Sequence, residues 1–158
     1  MRSEDFDELS FFRAIHESGV RALLIGRRAL VLLGLPVLTA DYDFWIAIDQ
    51  IAAFNAAAAR CDLHATVDPD EARRRGRYAV ENDEHVDVLV ARSVTTVDGV
   101  QVGFEDVWAQ RRAVTLAPDI EVQRPAIDDL ILTKRFADRP KDLEDIRLLR
   151  MLKSEGTT

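Results

Sequence analysis

The sequence is poor in cysteine and histidine, the side chains from which small proteins build disulfide frameworks and zinc sites. Cys61 is the single cysteine, and there are three histidines. One thiol cannot close an internal disulfide, and without a second thiol or a nearby histidine pair it is a poor metal ligand. No apolar run approaches the roughly 20 residues that cross a bilayer, and residues 1–5 lack the apolar stretch of a signal peptide. We therefore expect a cytoplasmic protein without a membrane span.

A surplus of basic residues is also absent. The chain has 21 lysines and arginines against 28 aspartates and glutamates, which gives a net charge of −7. A protein that wraps nucleic acid over a broad surface needs the opposite balance. A local basic patch that binds one RNA end or a triphosphate remains compatible with this charge. The 158 residues, 47% of them hydrophobic, are typical of a soluble globular protein, and we expect one domain over residues 1–158.

Apolar periodicity predicts strands that alternate with helices early in the chain and helices that close it. Extended segments are predicted over residues 20–25, 41–48, 63–67, 77–81, 85–91, 100–104 and 114–122. Helices are predicted over residues 4–18, 27–35, 50–60, 105–112, 126–137 and 141–153, with a charged loop or helical turn over residues 68–75. This order is typical of an α/β or α+β domain with a mixed sheet.

Two carboxylates, Asp41 and Asp43, stand two residues apart at the start of the predicted strand 41–48. Side chains alternate across a strand, so both project from one face while Tyr42 and Phe44 point to the other. Like charges this close repel, and burying either one without a partner costs several kcal/mol. A divalent cation relieves this cost, and Mg²⁺ is usually held by one or two carboxylates plus substrate phosphates. The pattern predicts a metal-dependent enzyme that acts on a phosphate.

A third carboxylate, Asp87, lies within a later apolar strand. Its neighbours Val86 and Val88 face away from it, so this acidic side chain needs a cationic partner or a metal. We predict that Asp87 converges with Asp41 and Asp43 on adjacent strands and shares one or two Mg²⁺ ions with them. There it would also accept the proton of an attacking hydroxyl. The alternative is that Asp87 forms a structural ion pair.

A glycine, Gly26, breaks the first apolar run and begins a predicted helix. Its missing side chain lets a phosphate approach the backbone, and a helix N-terminus offers free N–H groups and a positive dipole end. Arg27 and Arg28 add positive charge at the same point. We expect an anion such as a phosphate to bind at these three residues.

Five segments together resemble the signature of the polymerase-beta-like nucleotidyltransferase superfamily, and within it the AbiEii-like toxin and minimal nucleotidyltransferase branch. The segments are Ile25-Gly26-Arg27-Arg28-Ala29, Gly34-Leu35-Pro36, Thr39-Ala40-Asp41-Tyr42-Asp43-Phe44-Trp45-Ile46, Asp129-Leu130-Ile131-Leu132-Thr133-Lys134 and Arg139-Pro140-Lys141-Asp142-Leu143-Glu144-Asp145-Ile146. The resemblance extends over about residues 20–152 and is specific in the combination of segments rather than in any single one.

The resemblance implies a nucleotidyltransferase fold, with a mixed β-sheet flanked by helices and helices at the C-terminus. It implies that an NTP with Mg²⁺ is bound and that its nucleoside monophosphate is transferred to a hydroxyl. The acceptor in such relatives is a tRNA 3′ end or a protein, in a toxin–antitoxin or phage-defence system with a cognate partner protein. A small-molecule acceptor such as an aminoglycoside is an open alternative. A lysine of the C-terminal region reaches the nucleotide phosphates, which points to Lys134 here.

The sequence departs from this pattern in two places. Arg27 stands where the relatives carry a second small residue, and Val37-Leu38 replaces an arginine before Thr39. Arg27 either binds the triphosphate or fills its pocket. A catalytically silent protein that binds a partner or a nucleotide is therefore the alternative function. Mg²⁺-dependent phosphodiester hydrolysis is a third.

A run of basic residues, Arg73-Arg74-Arg75 followed by Arg77, has two readings. It contacts RNA, or it is a solvated charged loop balanced by Asp68, Asp70 and Glu71. Lys134 has two readings as well, a phosphate ligand or a solvated helix residue. The sequence leaves both pairs open.

Overall fold

A five-stranded mixed sheet forms the centre of the protein, seen in a computed structural model that describes residues 6–158. Its strands are β1 (Ala22–Ile25), β2 (Tyr42–Ile46), β3 (His64–Ala65), β4 (Arg77–Glu81) and β5 (His85–Leu89). Their spatial order is β1-β2-β5-β4-β3. Only β2 and β5 pair in parallel within this sheet, and the other neighbours are antiparallel.

Helices and two small hairpins surround this sheet. The helices are α1 (Glu8–Ser18), α2 (Gly26–Leu32), α3 (Ile51–Ala59), α4 (Pro69–Arg75), α5 (Phe104–Ala109), α6 (Ile127–Thr133) and α7 (Pro140–Ser154). The hairpins are β6 (Ser93–Thr95) with β7 (Gln101–Gly103), and β8 (Arg112–Ala117) with β9 (Ile120–Arg124). The predicted mixed sheet with flanking helices and C-terminal helices is thereby confirmed.

The two faces of β2 belong to two separate apolar clusters. Phe44 and Ile46 pack into the larger cluster, where the rings of Phe44 and Phe54 lie 5.5 Å apart. Trp45 belongs to the smaller cluster on the opposite face, together with Phe104. Strand β2 is therefore covered on both faces, which fixes its position between β1 and β5.

The structure differs from the sequence predictions in three places. The extended segment 114–122 is two strands, because Pro118-Asp119 forms the turn between β8 and β9. The short strand β6 was not predicted. The sequence predicts an apolar stripe of Leu143, Ile146, Leu149 and Leu152 along the last helix, but Leu143 is 55% exposed. The buried face of α7 consists of Asp142, Asp145, Ile146 and Leu149.

Two predictions concern residues outside the described range. One is the absence of a signal sequence at residues 1–5. The other is the helix predicted over residues 4–18, whose first two residues are not described. Within residues 6–158, no helix has the length and apolar character needed to cross a membrane.

Removal of the Phe54 ring tests the larger cluster. Phe54 is fully buried, so Phe54→Ala is expected to lower the free energy of unfolding by about 3–5 kcal/mol. Urea denaturation followed by circular dichroism measures this change. Leu38→Ala is the control, because Leu38 is 91% exposed and its truncation is expected to change stability by less than about 0.5 kcal/mol. Equal effects of the two substitutions would contradict the assignment of the core.

Candidate active site

The candidate site is built on one row of residues that crosses four strands. In this row Ile25 pairs with Asp43, Asp43 pairs with Asp87, and Asp87 pairs with Ala79. Neighbouring strands lie about 4.8 Å apart, so the carboxylates of Asp43 and Asp87 are adjacent on one face of the sheet. The sequence predicted that Asp41, Asp43 and Asp87 converge on adjacent strands; the parallel pairing of β2 with β5 brings Asp43 and Asp87 together, whereas Asp41 lies outside this row.

The environment of Asp43 disfavours its negative charge. Burial, the largest cause, and the charges of Asp87 and Asp41 together raise the pKa of Asp43 from 3.8 to about 6, while Lys134 and Lys141 act in the opposite direction. Asp41 itself is exposed and lies immediately before β2. Both neighbouring carboxylates therefore act electrostatically on Asp43.

Gly26 lies against the Asp43 side chain. It has φ +71°, and a Cβ at this position would lie 2.5 Å from Asp43 Oδ2. Any other residue would clash with the carboxylate and would strain the backbone. Helix α2 begins at Gly26, so this close approach fixes the start of the helix beside the acidic row.

A cleft of about 760 Å³ opens over this row. Its charged lining consists of four acidic residues and six basic ones, namely Asp41, Asp43, Asp87 and Asp142 with Arg27, Arg75, Arg77, Lys134, Arg139 and Lys141. Asp43 and Asp87 lie in the row and Asp41 lies just before β2. The basic residues come from α2, from the α4–β4 region and from the α6–α7 region. The cleft thus has an acidic floor and basic walls.

Of the three cations expected at the phosphates, Arg27 and Lys134 are bound to Asp145. Lys134 Nζ donates to Asp145 Oδ2 at 2.7 Å. Arg27 Nε donates to both Asp145 oxygens at 3.1 and 3.2 Å, and Arg27 Nη1 donates to the Leu38 carbonyl at 3.3 Å. Asp145 is completely buried and Lys134 is 6% exposed. Lys134 is therefore a buried residue on the cleft wall and not a solvated one.

Arg28 is directed to a different place from Arg27. Its guanidinium lies 4.2 Å from the centre of the Tyr42 ring and 3.4 Å from Glu8. It also donates to the carbonyls of Thr39 and Asp41 at 3.1 and 3.4 Å. Arg28 does not line the cleft. It fixes the backbone that carries Asp41.

Asp87 has a histidine partner at the rim of the cleft. His85 Nε2 lies 2.9 Å from Asp87 Oδ1, and His85 Nδ1 lies 2.5 Å from Glu81 Oε2. The hydrogen bond to Asp87 raises the pKa of His85, and Glu81 adds to this effect. His85 therefore orients one oxygen of Asp87 and leaves the other for a ligand.

The carboxylate row fits the chemistry of Mg²⁺. Within residues 6–158, no three His, Cys, Asp or Glu side chains are grouped closely enough to hold a metal ion by themselves. Mg²⁺ normally needs only one or two carboxylates, because water and substrate phosphates complete its coordination. The adjacent Asp43 and Asp87, whose mutual repulsion a cation would relieve, supply that number.

Sequence reasoning gave no role to Asp145 or to the neighbouring Asp142. Asp142 is 1% exposed, and it accepts from the Arg139 guanidinium at 2.8 and 3.2 Å. A helical pattern was available as a signal, because residues 142, 145, 146 and 149 share one face of a helix. Two acids on the face that also carries Ile146 and Leu149 indicate buried cationic partners.

Several solved structures share the fold of this chain. No family model matches this chain, and no curated protein matches it in sequence. Among solved structures, the lincosamide antibiotic adenylyltransferase LnuA in its lincomycin-bound form has a TM-score of 0.62 and 14% identity, over 93% of this chain and 98% of that one. The antibiotic-resistance factor ANT(2″)-Ia has a TM-score of 0.62 and 16% identity, over 92% and 82% of the two chains.

A crystal structure of ANT(2″)-Ia in complex with adenylyl-2″-tobramycin has a TM-score of 0.60 and 18% identity, over 92% of this chain and 87% of that one. This chain has a nucleotidyltransferase fold. The fold predicted from the sequence is thereby confirmed, and identities of 14 to 18% carry the fold alone.

The charge of Asp43 gives a test of the site through stability. An acid whose pKa is higher in the folded than in the unfolded chain destabilises the fold once it ionises. With the pKa raised from 3.8 to about 6, this penalty is absent below pH 4, grows up to about pH 6 and is constant above. Asp43→Asn is therefore expected to raise the free energy of unfolding at pH 7.5 by about 1–2 kcal/mol, after allowance for residual solvent screening.

This gain is measured by urea denaturation in the presence of a chelator and is expected to vanish at pH 4. Asp83→Asn removes the same charge from an exposed turn, and we expect it to change stability by less than about 0.5 kcal/mol. A loss of stability in Asp43→Asn at pH 7.5 would contradict the described environment of Asp43.

Proposed function

We propose that the protein is a Mg²⁺-dependent nucleotidyltransferase that transfers a nucleoside monophosphate from an NTP to a hydroxyl of RNA and releases pyrophosphate. One observation carries this proposal: the in-register pair Asp43 and Asp87 shares a single cleft with the buried cation Lys134. Carboxylates of this kind bind a divalent metal ion. Basic side chains that are fixed beside them bind the phosphates that the metal ion also contacts.

Each side chain has a role in the proposed reaction. Asp43 and Asp87 would hold Mg²⁺, Asp41 would add its negative charge beside them, and the bound ion would neutralise negative charge on the phosphate oxygens. Lys134 and Arg27 bind the triphosphate, and the open backbone at Gly26 leaves room for it. Asp87 accepts the proton of the acceptor hydroxyl as its oxygen bonds to the α-phosphorus. The bond from the α-phosphorus to the bridging oxygen then breaks, and pyrophosphate leaves.

The basic walls of the cleft favour an anionic acceptor. Arg77 has no carboxylate within ion-pair distance among the described residues, and it lies next to Arg75 at the cleft. On the opposite side, Arg139 and Lys141 line the same opening. Fixed cations along a groove contact the phosphates of a nucleic-acid strand. RNA therefore suits these walls better than a cationic acceptor does.

The antibiotic-modifying neighbours provide a contrast. ANT(2″)-Ia has been crystallised with adenylyl-2″-tobramycin, and tobramycin is a polyamine that carries several positive charges at neutral pH. Six basic residues line the present cleft against four acidic ones, so the lining has a net positive charge that disfavours such an acceptor. This argues for RNA over an aminoglycoside.

The wider setting of the activity follows from the resemblance to the AbiEii-like and minimal nucleotidyltransferase branch. It includes a toxin–antitoxin or phage-defence role, a tRNA 3′ end as the RNA and a cognate partner protein. A protein hydroxyl is the other acceptor that this resemblance offers. These points rest on the sequence segments that carry the resemblance.

A catalytically silent protein is the second candidate function. Its support is Arg27, whose guanidinium stands in the cleft and is bound to Asp145 and the Leu38 carbonyl. In this case the protein binds a partner, or binds a nucleotide without turnover.

Nucleotide binding with and without Mg²⁺ separates the two candidates. Calorimetric titration with ATP, GTP, CTP and UTP is expected to show binding of at least one of them that depends on Mg²⁺. Asp43→Ala is expected to weaken this binding by about tenfold or more, because a carboxylate that holds the metal is lost. Asp49→Ala, which removes an exposed acid a few residues beyond the other end of β2, is the control. Affinity that is indifferent to both Mg²⁺ and Asp43 would favour the silent protein.

The acceptor is identified by transfer of label. Each α-labelled NTP is incubated with Mg²⁺, total tRNA and a cell lysate, and label is expected in RNA. Arg77→Glu is expected to reduce this labelling by about tenfold or more, since each phosphate contact adds to affinity. Arg73→Glu is the matched charge reversal at a residue of α4 that does not line the cleft, and it is expected to have little effect on labelling. Label in protein, or in an added aminoglycoside, would contradict the RNA acceptor.

A further inference from the structure

One buried carboxylate, Asp145, joins three helices behind the cleft. It lies on α7 and accepts from Lys134 at the end of α6 and from Arg27 at the start of α2. Its side chain is fully buried, whereas both cations reach the cleft. Asp145 itself does not line the cleft. Any action of Asp145 on a bound nucleotide must therefore pass through these two side chains.

We infer that Asp145 is a positioning residue that holds Arg27 and Lys134 as a single clamp for the β- and γ-phosphates of the nucleotide. The inference rests on the proposed function and extends it. It also assigns a role to Arg27, which replaces a small residue of the resembled pattern.

The hydrogen bonds that the clamp leaves open support this role. An ammonium has three N–H donors and a guanidinium has five. Asp145 takes one donor of Lys134 and, from Arg27, the Nε donor and one on Nη2; the Leu38 carbonyl takes one on Nη1. Each cation therefore keeps two donors for phosphate oxygens.

The charges of the three groups add to the same conclusion. One carboxylate between two cations leaves a net positive charge beside the cleft, which is suited to a triphosphate. Without Asp145, the two cations would repel each other, and the buried ammonium of Lys134 would lack a counter-ion, an arrangement that is strongly disfavoured. Asp145 thus permits two cations to stand side by side on one wall.

Arg27 is also fixed more firmly than a surface arginine. Two of its nitrogens contact Asp145 and the third donates to the carbonyl of Leu38, in the segment that leads to Asp41. This geometry holds the guanidinium at the wall rather than across the cleft floor. Arg27 is therefore placed to bind phosphate rather than to block the pocket.

The test compares a triphosphate with a monophosphate. With Mg²⁺ present, calorimetry gives the Kd of the best-binding NTP and of the corresponding NMP, which lacks the β- and γ-phosphates. In Asp145→Asn, the ratio of the NMP Kd to the NTP Kd is expected to fall by about tenfold or more, because hydrogen bonds to charged groups are lost. Binding of the NMP is expected to change little.

Two further variants make the test decisive. Arg27→Ser, at a partly exposed position, is expected to lower the same ratio and is used alone if Asp145→Asn does not fold. Leu149→Ala truncates a fully buried residue of α7 and is expected to lower Tm while leaving the ratio unchanged. A merely structural role of Asp145 would give the Leu149→Ala result.

The outcomes that overturn the inference are distinct from failure of the proposed function. An unchanged ratio in Asp145→Asn or in Arg27→Ser, or tighter NTP binding by Arg27→Ser, overturns the clamp while Mg²⁺-dependent binding by the wild-type protein still stands. Absence of NTP binding by the wild-type protein refutes the proposed function, and the clamp with it.

Discussion

The parallel pairing of β2 with β5 places two carboxylates side by side, where their negative charges repel each other. The rest of the site is arranged around this repulsion. Asp43 and Asp87 are register partners in the central ladder, so neither can move away without breaking the sheet. The sheet is fixed in turn by an apolar cluster on each face. A charge conflict that a surface loop would relax by moving is therefore retained, and it is relieved by protonation or by a cation.

The buried cluster around Asp145 meets a similar conflict in the opposite way. There the chain supplies its own counter-charges, because Asp145 takes hydrogen bonds from Lys134 and Arg27. Ion pairs of this kind add little net stability, since desolvation opposes the attraction, but the loss of one partner costs several kcal/mol. The acidic row and the ion-paired cluster thus differ in kind. The repulsion in the acidic row is relieved by protonation or by an external cation, whereas the ion-paired cluster is internally satisfied and presents donors to the cleft.

Local periodicity made part of this arrangement predictable. Alternation along a strand assigned Asp41 and Asp43 to one face and Tyr42 and Phe44 to the other, and the same rule singled out Asp87. Such patterns do not show which distant segments pair with each other. The contact of Asp43 with Gly26 and the ion pairs of Asp145 therefore could not be predicted and are seen only in the folded chain. The β8–β9 hairpin was missed for a local reason, because its turn is only two residues long.

The distribution of charge reconciles an acidic protein with an anionic ligand. Six of the 21 basic residues and four of the 28 acidic ones line the cleft, so its lining is positive by two while the rest of the chain is negative by nine. Salt screens exposed charges beyond about 8 Å at physiological ionic strength. A nucleotide in the cleft therefore interacts mainly with the lining and little with the acidic remainder. Once a cation binds the acidic floor, the lining becomes more positive still, so metal and triphosphate favour each other's binding.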